Sequence, residues 1–120
     1  MSDIDLHDDR DRGLLTARTR TTGSPAGETV GRLQYFVLAE PTPALVAAHT
    51  VVEPAHEGKG IAGSLARELY AMAAREALAV APLCSFVAAW AERHPGEAPA
   101  APAELLAAAE AALAADPDKW

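Results

Sequence analysis

Residues 57–63 read Glu57-Gly58-Lys59-Gly60-Ile61-Ala62-Gly63, three glycines and a lysine at the start of an apolar-periodic run. Glycine lets a backbone approach a ligand closely and takes the positive φ that a tight turn demands. Where such a turn opens a helix, the first amides lack intrahelical partners and the positive end of the helix dipole lies beside them. A phosphate or pyrophosphate is the natural occupant. Lys59 is either a cation near those phosphates or a solvated turn residue. Two nearby segments carry groups able to move protons or acyl chains. His49 has a ring that titrates near neutrality and can act as general base toward an amine, or can serve as a hydrogen-bonded structural histidine. Cys84 stands just ahead of a helix, where a thiolate nucleophile is favoured, although a free cysteine also packs as a small apolar residue. His94, before Pro95, reads as a helix stop whose ring satisfies the last carbonyls. His56 reads as a solvated loop residue.

The glycine turn needs a strand before it and a helix after it. Residues 13–21 read as a first strand at a sheet edge, because Arg18 and Arg20 share a solvated face. Residues 29–39 form a second strand, with Leu33, Tyr35 and Val37 on one face and Gln34, Phe36 and Leu38 on the other. Residues 44–52 are apolar on both faces except at His49 and Thr50, so this strand belongs inside the sheet. Short turns at 22–27 and 40–43 make the three an antiparallel meander. Ile61, Leu65, Leu69, Met72 and Ala73 then recur at helical spacing over residues 60–78. A short strand, residues 79–81, ends at Pro82, and a helix follows from Cys84 or Ser85 to Arg93. Residues 97–103 read as a Pro/Ala linker. Residues 102–115 read as an alanine-rich helix with a small apolar face of Leu105, Leu106, Ala109 and Leu113. The fold class is therefore α+β: a meander, a strand–helix–strand unit and a C-terminal helix.

The 120 residues suit one domain, preceded by a disordered acidic tail at residues 1–12 and followed by the linker and helix at 97–120. The formal net charge of −7 argues against nucleic acid, which needs clustered Lys and Arg. No metal is expected, since the Asp and His residues of the tail lack regular spacing. A single cysteine, no signal peptide and no apolar run of spanning length point to a cytoplasmic protein without a membrane partner.

Residues 58–63 match G-x-G-x-x-G, but the next strand ends Val80-Ala81-Pro82-Leu83 without the acid that a dinucleotide ribose requires. A Walker loop fails as well, because Gly60 follows Lys59 and Glu53 occupies the first glycine position. The segment Glu57 to Ala62 instead resembles the Q/R-x-x-G-x-G/A acetyl-CoA signature of the GNAT superfamily, with Glu57 in the place of Gln or Arg. His49-Thr50-Val51-Val52, EGKGIAGSLA, Val80-Ala81-Pro82-Leu83-Cys84-Ser85-Phe86-Val87 and Arg93-His94-Pro95 resemble the small YjdJ-type N-acetyltransferase domain.

That resemblance implies a GNAT-like fold in which two parallel strands, residues 47–52 and 79–81, splay apart around the pantetheine arm of acetyl-CoA. The pyrophosphate would lie on Gly58, Lys59, Gly60, Ile61, Ala62 and Gly63, and the thioester carbonyl near Val51 or Val52. A cysteine at position 84 would sit close to the acetyl group. The implied activity is acetyl-CoA-dependent transfer to an amine of a small molecule or polypeptide. The alternative is a non-catalytic CoA-binding sensor or adaptor. Larger members carry helices between their first two strands, and only the turn at 22–27 stands there in this chain, so an acceptor site would be open and shallow.

Overall fold

The computed structural model of the chain describes residues 4–19, 29–54 and 60–115. Five strands, β1 (Ile4–Asp9), β2 (Leu14–Thr19), β3 (Thr29–Leu38), β4 (Ala44–Val52) and β5 (Ala79–Pro82), form one sheet in chain order. The first four are antiparallel neighbours and β5 runs parallel to β4. Three helices follow the meander: α1 (Ile61–Arg75) between β4 and β5, then α2 (Ser85–Arg93) and α3 (Ala103–Ala115). The fold is α+β and GNAT-like, with the expected strand–helix–strand crossover. Among the described residues no helix is long and apolar enough to cross a membrane.

Each face of the sheet has its own core. Leu15, Leu33, Tyr35, Leu45, Ala47 and Val80 point to an inner face, where α1 contributes Ile61, Leu65, Leu69 and Met72 and α2 contributes Val87 and Trp90. Burying a leucine such as Leu65 or Leu69 fully is worth about 1.5–3 kcal/mol, so this stripe fixes α1 on the sheet. On the outer face Ala44, Val46 and Ala81 receive Leu105 and Ala109 of α3, with Phe36 and Leu38 at the margin. The alanine-rich helix, with the small apolar face expected of it, thus covers that part of the outer face. Leu105 is completely buried there, because alanines let α3 lie close to a sheet surface that is itself alanine and valine.

Two expectations change. Residues 4–9, taken as part of a disordered tail, form β1, paired with β2 from Ile4↔Thr19 to Asp9↔Leu14. This places β2 inside the sheet rather than at its edge. The strand is held by side chains far away in sequence. Arg10 makes a two-pronged contact with Glu76 at the end of α1 and donates to the Tyr35 hydroxyl at 3.0 Å, while Tyr35 donates to Asp8. Beside Arg10, the Glu76 carboxyl is held below its usual range, and the guanidinium is raised in turn. Burial, reinforced by the bond to Asp8, pushes the Tyr35 phenol up to about 12. Second, the first two strands are joined by the tight turn 10–13, where Arg12 and Gly13 donate back to Asp9 and Arg10. Residues 20–28, which contain the turn assigned to that position from sequence, lie between β2 and β3 and outside the described residues.

Candidate functional site

The site begins where β4 and β5 part. They pair from Ala44↔Ala79 to Ala47↔Pro82 and no further. Pro82 has no amide hydrogen to extend the ladder. The Ala47 carbonyl accepts from both Leu83, at 3.1 Å, and Cys84, at 2.9 Å, and so closes the base of the opening. On the other side of β4, Tyr35 lies opposite Ala47 while Gln34 lies opposite His49, which leaves Ala48 as an extra residue in the strand. A bulge of this kind bends a strand and sharpens its twist. Both devices act at the same level, so residues 48–52 leave β5 behind and present a strand edge without a partner strand among the described residues.

The bulge also sets which side chains meet. Without the bulge the two-residue alternation would put His49 on the inner face with Ala47. With it, Thr50 lies opposite Leu33 and faces inward, whereas His49, opposite Gln34, faces outward and is exposed. Cys84 is the residue before α2, in extended conformation, and makes no side-chain cap. Its thiol instead donates across the opening to the Thr50 hydroxyl at 3.3 Å. The two candidate catalytic residues therefore sit on opposite faces of β4, with Cys84 among inner-face groups and His49 on the open sheet surface. Thr50 is the neighbour that sequence reasoning did not assign; only the bulge register reveals it.

The start of α1 forms the upper wall. Gly60 adopts a left-handed conformation, φ 77°, ψ 14°, and no side chain caps the helix. No acidic residue occupies the first turn. Among the described residues the amides of Ile61, Ala62 and Gly63 have no acceptor, and the first return bond of the helix is Ser64 N–H to the Gly60 carbonyl at 3.0 Å. A Cβ at Gly60 would meet nothing, so the glycine is required for its φ and not for space. Val52, from the candidate set, packs against the inner core, while Val51 lies opposite Arg32 on the outer face. Glu57, Gly58 and Lys59 lie outside the described residues, as does His56.

The α1–α2 contact fixes the width of the opening. Trp90 sits against Gly63, where a Cβ would approach its ring nitrogen to 3.6 Å. Trp90 stacks on Tyr70 at 5.8 Å and on His94 at 4.3 Å between ring centroids, with the Arg67 guanidinium 5.6 Å from its own ring centre. His94 Nδ1 lies 2.8 Å from the Trp90 carbonyl oxygen, the helix-stop role read from sequence. The Tyr70 hydroxyl is buried with no partner among the described residues, and desolvation pushes its phenol up to about 12.

A family model described as GCN5-related N-acetyl-transferase matches residues 20–100. The chain is also similar in structure to a ribosomal-protein-alanine N-acetyltransferase from Brucella melitensis biovar Abortus 2308. That similarity has a TM-score of 0.51 and 25% identity, and covers 77% of this chain and 67% of the other. No curated protein matches the chain.

Proposed function

Because the chain belongs to the GCN5-related N-acetyl-transferase family, we propose that it moves an acetyl group from acetyl-CoA to a primary amine. The observation that carries this reading is the uncapped start of α1 opening beside the parting of β4 and β5. Free amides and a helix dipole suit a pyrophosphate, and the edge of residues 48–52 offers N–H and C=O groups to an amide-bearing arm. Gly60, Ile61, Ala62 and Gly63, with Glu57, Gly58 and Lys59 just before them, are the cofactor-binding residues of this reading, and Val51 and Val52 flank the thioester.

In the transfer, the amine lone pair attacks the thioester carbonyl carbon, the C–S bond breaks, and the CoA sulfur leaves as thiolate and takes up a proton. The amine surrenders its proton to a base, for which His49 is positioned on the open face. Cys84 supports a second route, since its sulfur lies at the inner side of the opening. The thiolate would accept the acetyl group first and pass it to the amine. Cys84→Ala separates the routes: a loss of turnover of a hundredfold or more supports the acetyl-cysteine, and unchanged turnover removes it. The short 10–13 turn leaves room for a bulky acceptor such as a polypeptide end.

The test has two arms. Acetyl-CoA should raise the melting midpoint by mass action, while ATP and NAD should not. CoA release is then followed over a panel of amines. Stabilisation without release would assign a CoA-binding sensor or adaptor instead, and absence of both would defeat the reading.

A further inference from the structure

We infer that the acceptor carries a carboxylate close to its amine and that Arg32 binds it; this rests on the acetyl-transfer reading above. At the opening the inner face is filled by α1 and α2. A donor thioester held there leaves the outer face for the nucleophile. That face is covered by α3 only over its lower half, at Ala44, Val46 and Ala81. Among the described residues no helix covers the rest of it, which is ordered in two cross-strand rows. His7, Thr16, Arg32 and Val51 stand side by side in one row; Asp9, Leu14, Gln34 and His49 form the next.

Arg32 is exposed and, like Arg12, Arg18 and Arg93, has no ion-pair partner among the described residues, and of these four it is the one beside His49. It is the diagonal neighbour of His49 across the β3–β4 ladder, about 7–8 Å away between backbone positions. An arginine side chain covers that span. Arg32, the Gln34 amide and the His49 ring are all able to donate hydrogen bonds, and they surround the place where the amine must wait. A planar guanidinium binds a carboxylate through two parallel bonds, with an orientation that a lysine does not impose. In a chain of net charge −7, an exposed arginine without an ion-pair partner among the described residues, with Gln34 and His49 beside it and Glu53 as its other diagonal neighbour, offers an anion a cation on this face. The acceptor that suits both groups is zwitterionic: amine toward His49, carboxylate on Arg32. A free α-amino acid meets this description, as does a polypeptide whose second residue is acidic.

The experiment measures kcat and KM for alanine against alaninamide, and for Ala-Glu-amide against Ala-Gln-amide. The proteins are the unmodified chain, Arg32→Gln, Arg32→Lys and, as a control on the far end of α2, Arg93→Gln. The expected result is that one carboxylate acceptor exceeds its neutral mate by about tenfold or more in kcat/KM, the size of a charged hydrogen bond. Arg32→Gln then raises KM for that acceptor and brings the ratio near unity, Arg32→Lys restores part of it, and Arg93→Gln leaves it alone. The pair that shows the preference tells the free amino acid from the acidic peptide. No preference in either pair, or one that survives Arg32→Gln, overturns the inference while acetyl transfer stands. Failure of the unmodified protein to bind acetyl-CoA by calorimetry overturns the functional reading and takes this inference with it.

Discussion

Gly31 tests how the sheet holds the start of α1. It lies in β3 between Ala17 and Val52, directly beneath the first turn of the helix. A Cβ built there would stand 2.8 Å from Ile61 Cγ2, 3.4 Å from Leu65 Cδ1 and 3.5 Å from the Val51 carbonyl oxygen. Carbon atoms pack best at about 3.5–4.0 Å, so Ile61 must withdraw by roughly 1 Å. It cannot swing aside, because a β-branched residue in a helix has one strongly preferred χ1. Gly31→Ala should therefore lift the first turn of α1 and cost about 1–3 kcal/mol, the usual range for overpacking. For a chain of this size that lowers the melting midpoint by several degrees. The same displacement moves the amides of Ile61, Ala62 and Gly63, so acetyl-CoA affinity should fall more than a distant substitution of equal cost would make it fall. Ile61→Leu supplies the decisive control. It deletes the offending Cγ2 while keeping side-chain volume, and alone should cost under about 1.5 kcal/mol. Combined with Gly31→Ala, it should recover at least about 1 kcal/mol relative to the sum of the single changes, measured by denaturant unfolding with calorimetric binding alongside. A neutral Gly31→Ala, or strict additivity in the pair, refutes the argument.

Two more outcomes follow from the ionisable groups. Glu76 has a depressed carboxyl in the folded state through its bond to Arg10, so its contribution is present above the ordinary carboxylate range and is lost as pH falls through the folded value. Both partners are partly exposed, so Glu76→Gln should cost no more than about 1 kcal/mol at pH 7, and the two proteins should converge in stability as pH falls below the ordinary carboxylate range and through the depressed folded value. Tyr70→Phe removes a buried hydroxyl without a partner and should stabilise the fold by about 1 kcal/mol at neutral pH, read as a rise in melting midpoint. Because the folded phenol is raised to about 12 from an ordinary 10.0, the parent loses stability as pH climbs from about 10 toward 12, and Tyr70→Phe should lose less. A destabilised Tyr70→Phe would mean that the hydroxyl has a partner, such as a water in the neighbouring cavity of about 340 Å³ that Tyr70 lines with Ala73, Val80 and Pro99.

The sequence revealed elements wherever periodicity was local. The α1 stripe, the two-faced apolar β4 and the proline that ends β5 are each legible within a dozen residues, and the structure places Ile61–Arg75, Ala44–Val52 and Ala79–Pro82 there. β1 escaped because Ile4 and Leu6 are its only large apolar residues, and Leu6 remains partly exposed. What holds it is an ion pair 66 residues away and a tyrosine 27 residues away, neither of which leaves a mark in the segment itself. The docking of α3 is hidden in the sequence for a related reason. Its alanines look like propensity without purpose until the alanine-lined outer face of β4 and β5 is known.

The site was legible in its parts but not in its handedness. Glycine spacing located the α1 turn, and the uncapped Gly60 fits what that spacing implied. Which face His49 occupies depends on one extra residue, Ala48, and nothing in the run Leu45-Val46-Ala47-Ala48-His49 announces a bulge. Small residues permit one without requiring it. The consequence reaches the chemistry. A regular β4 would have set His49 beside Cys84 on the inner face and suggested a paired thiolate and imidazole. The bulge gives the thiol a threonine hydroxyl for company and turns the imidazole to the open sheet, beside Gln34 and diagonal to Arg32. In the transfer proposed above, an imidazole on one face and a thiol on the other suit a donor and an acceptor that meet through the opening from opposite sides.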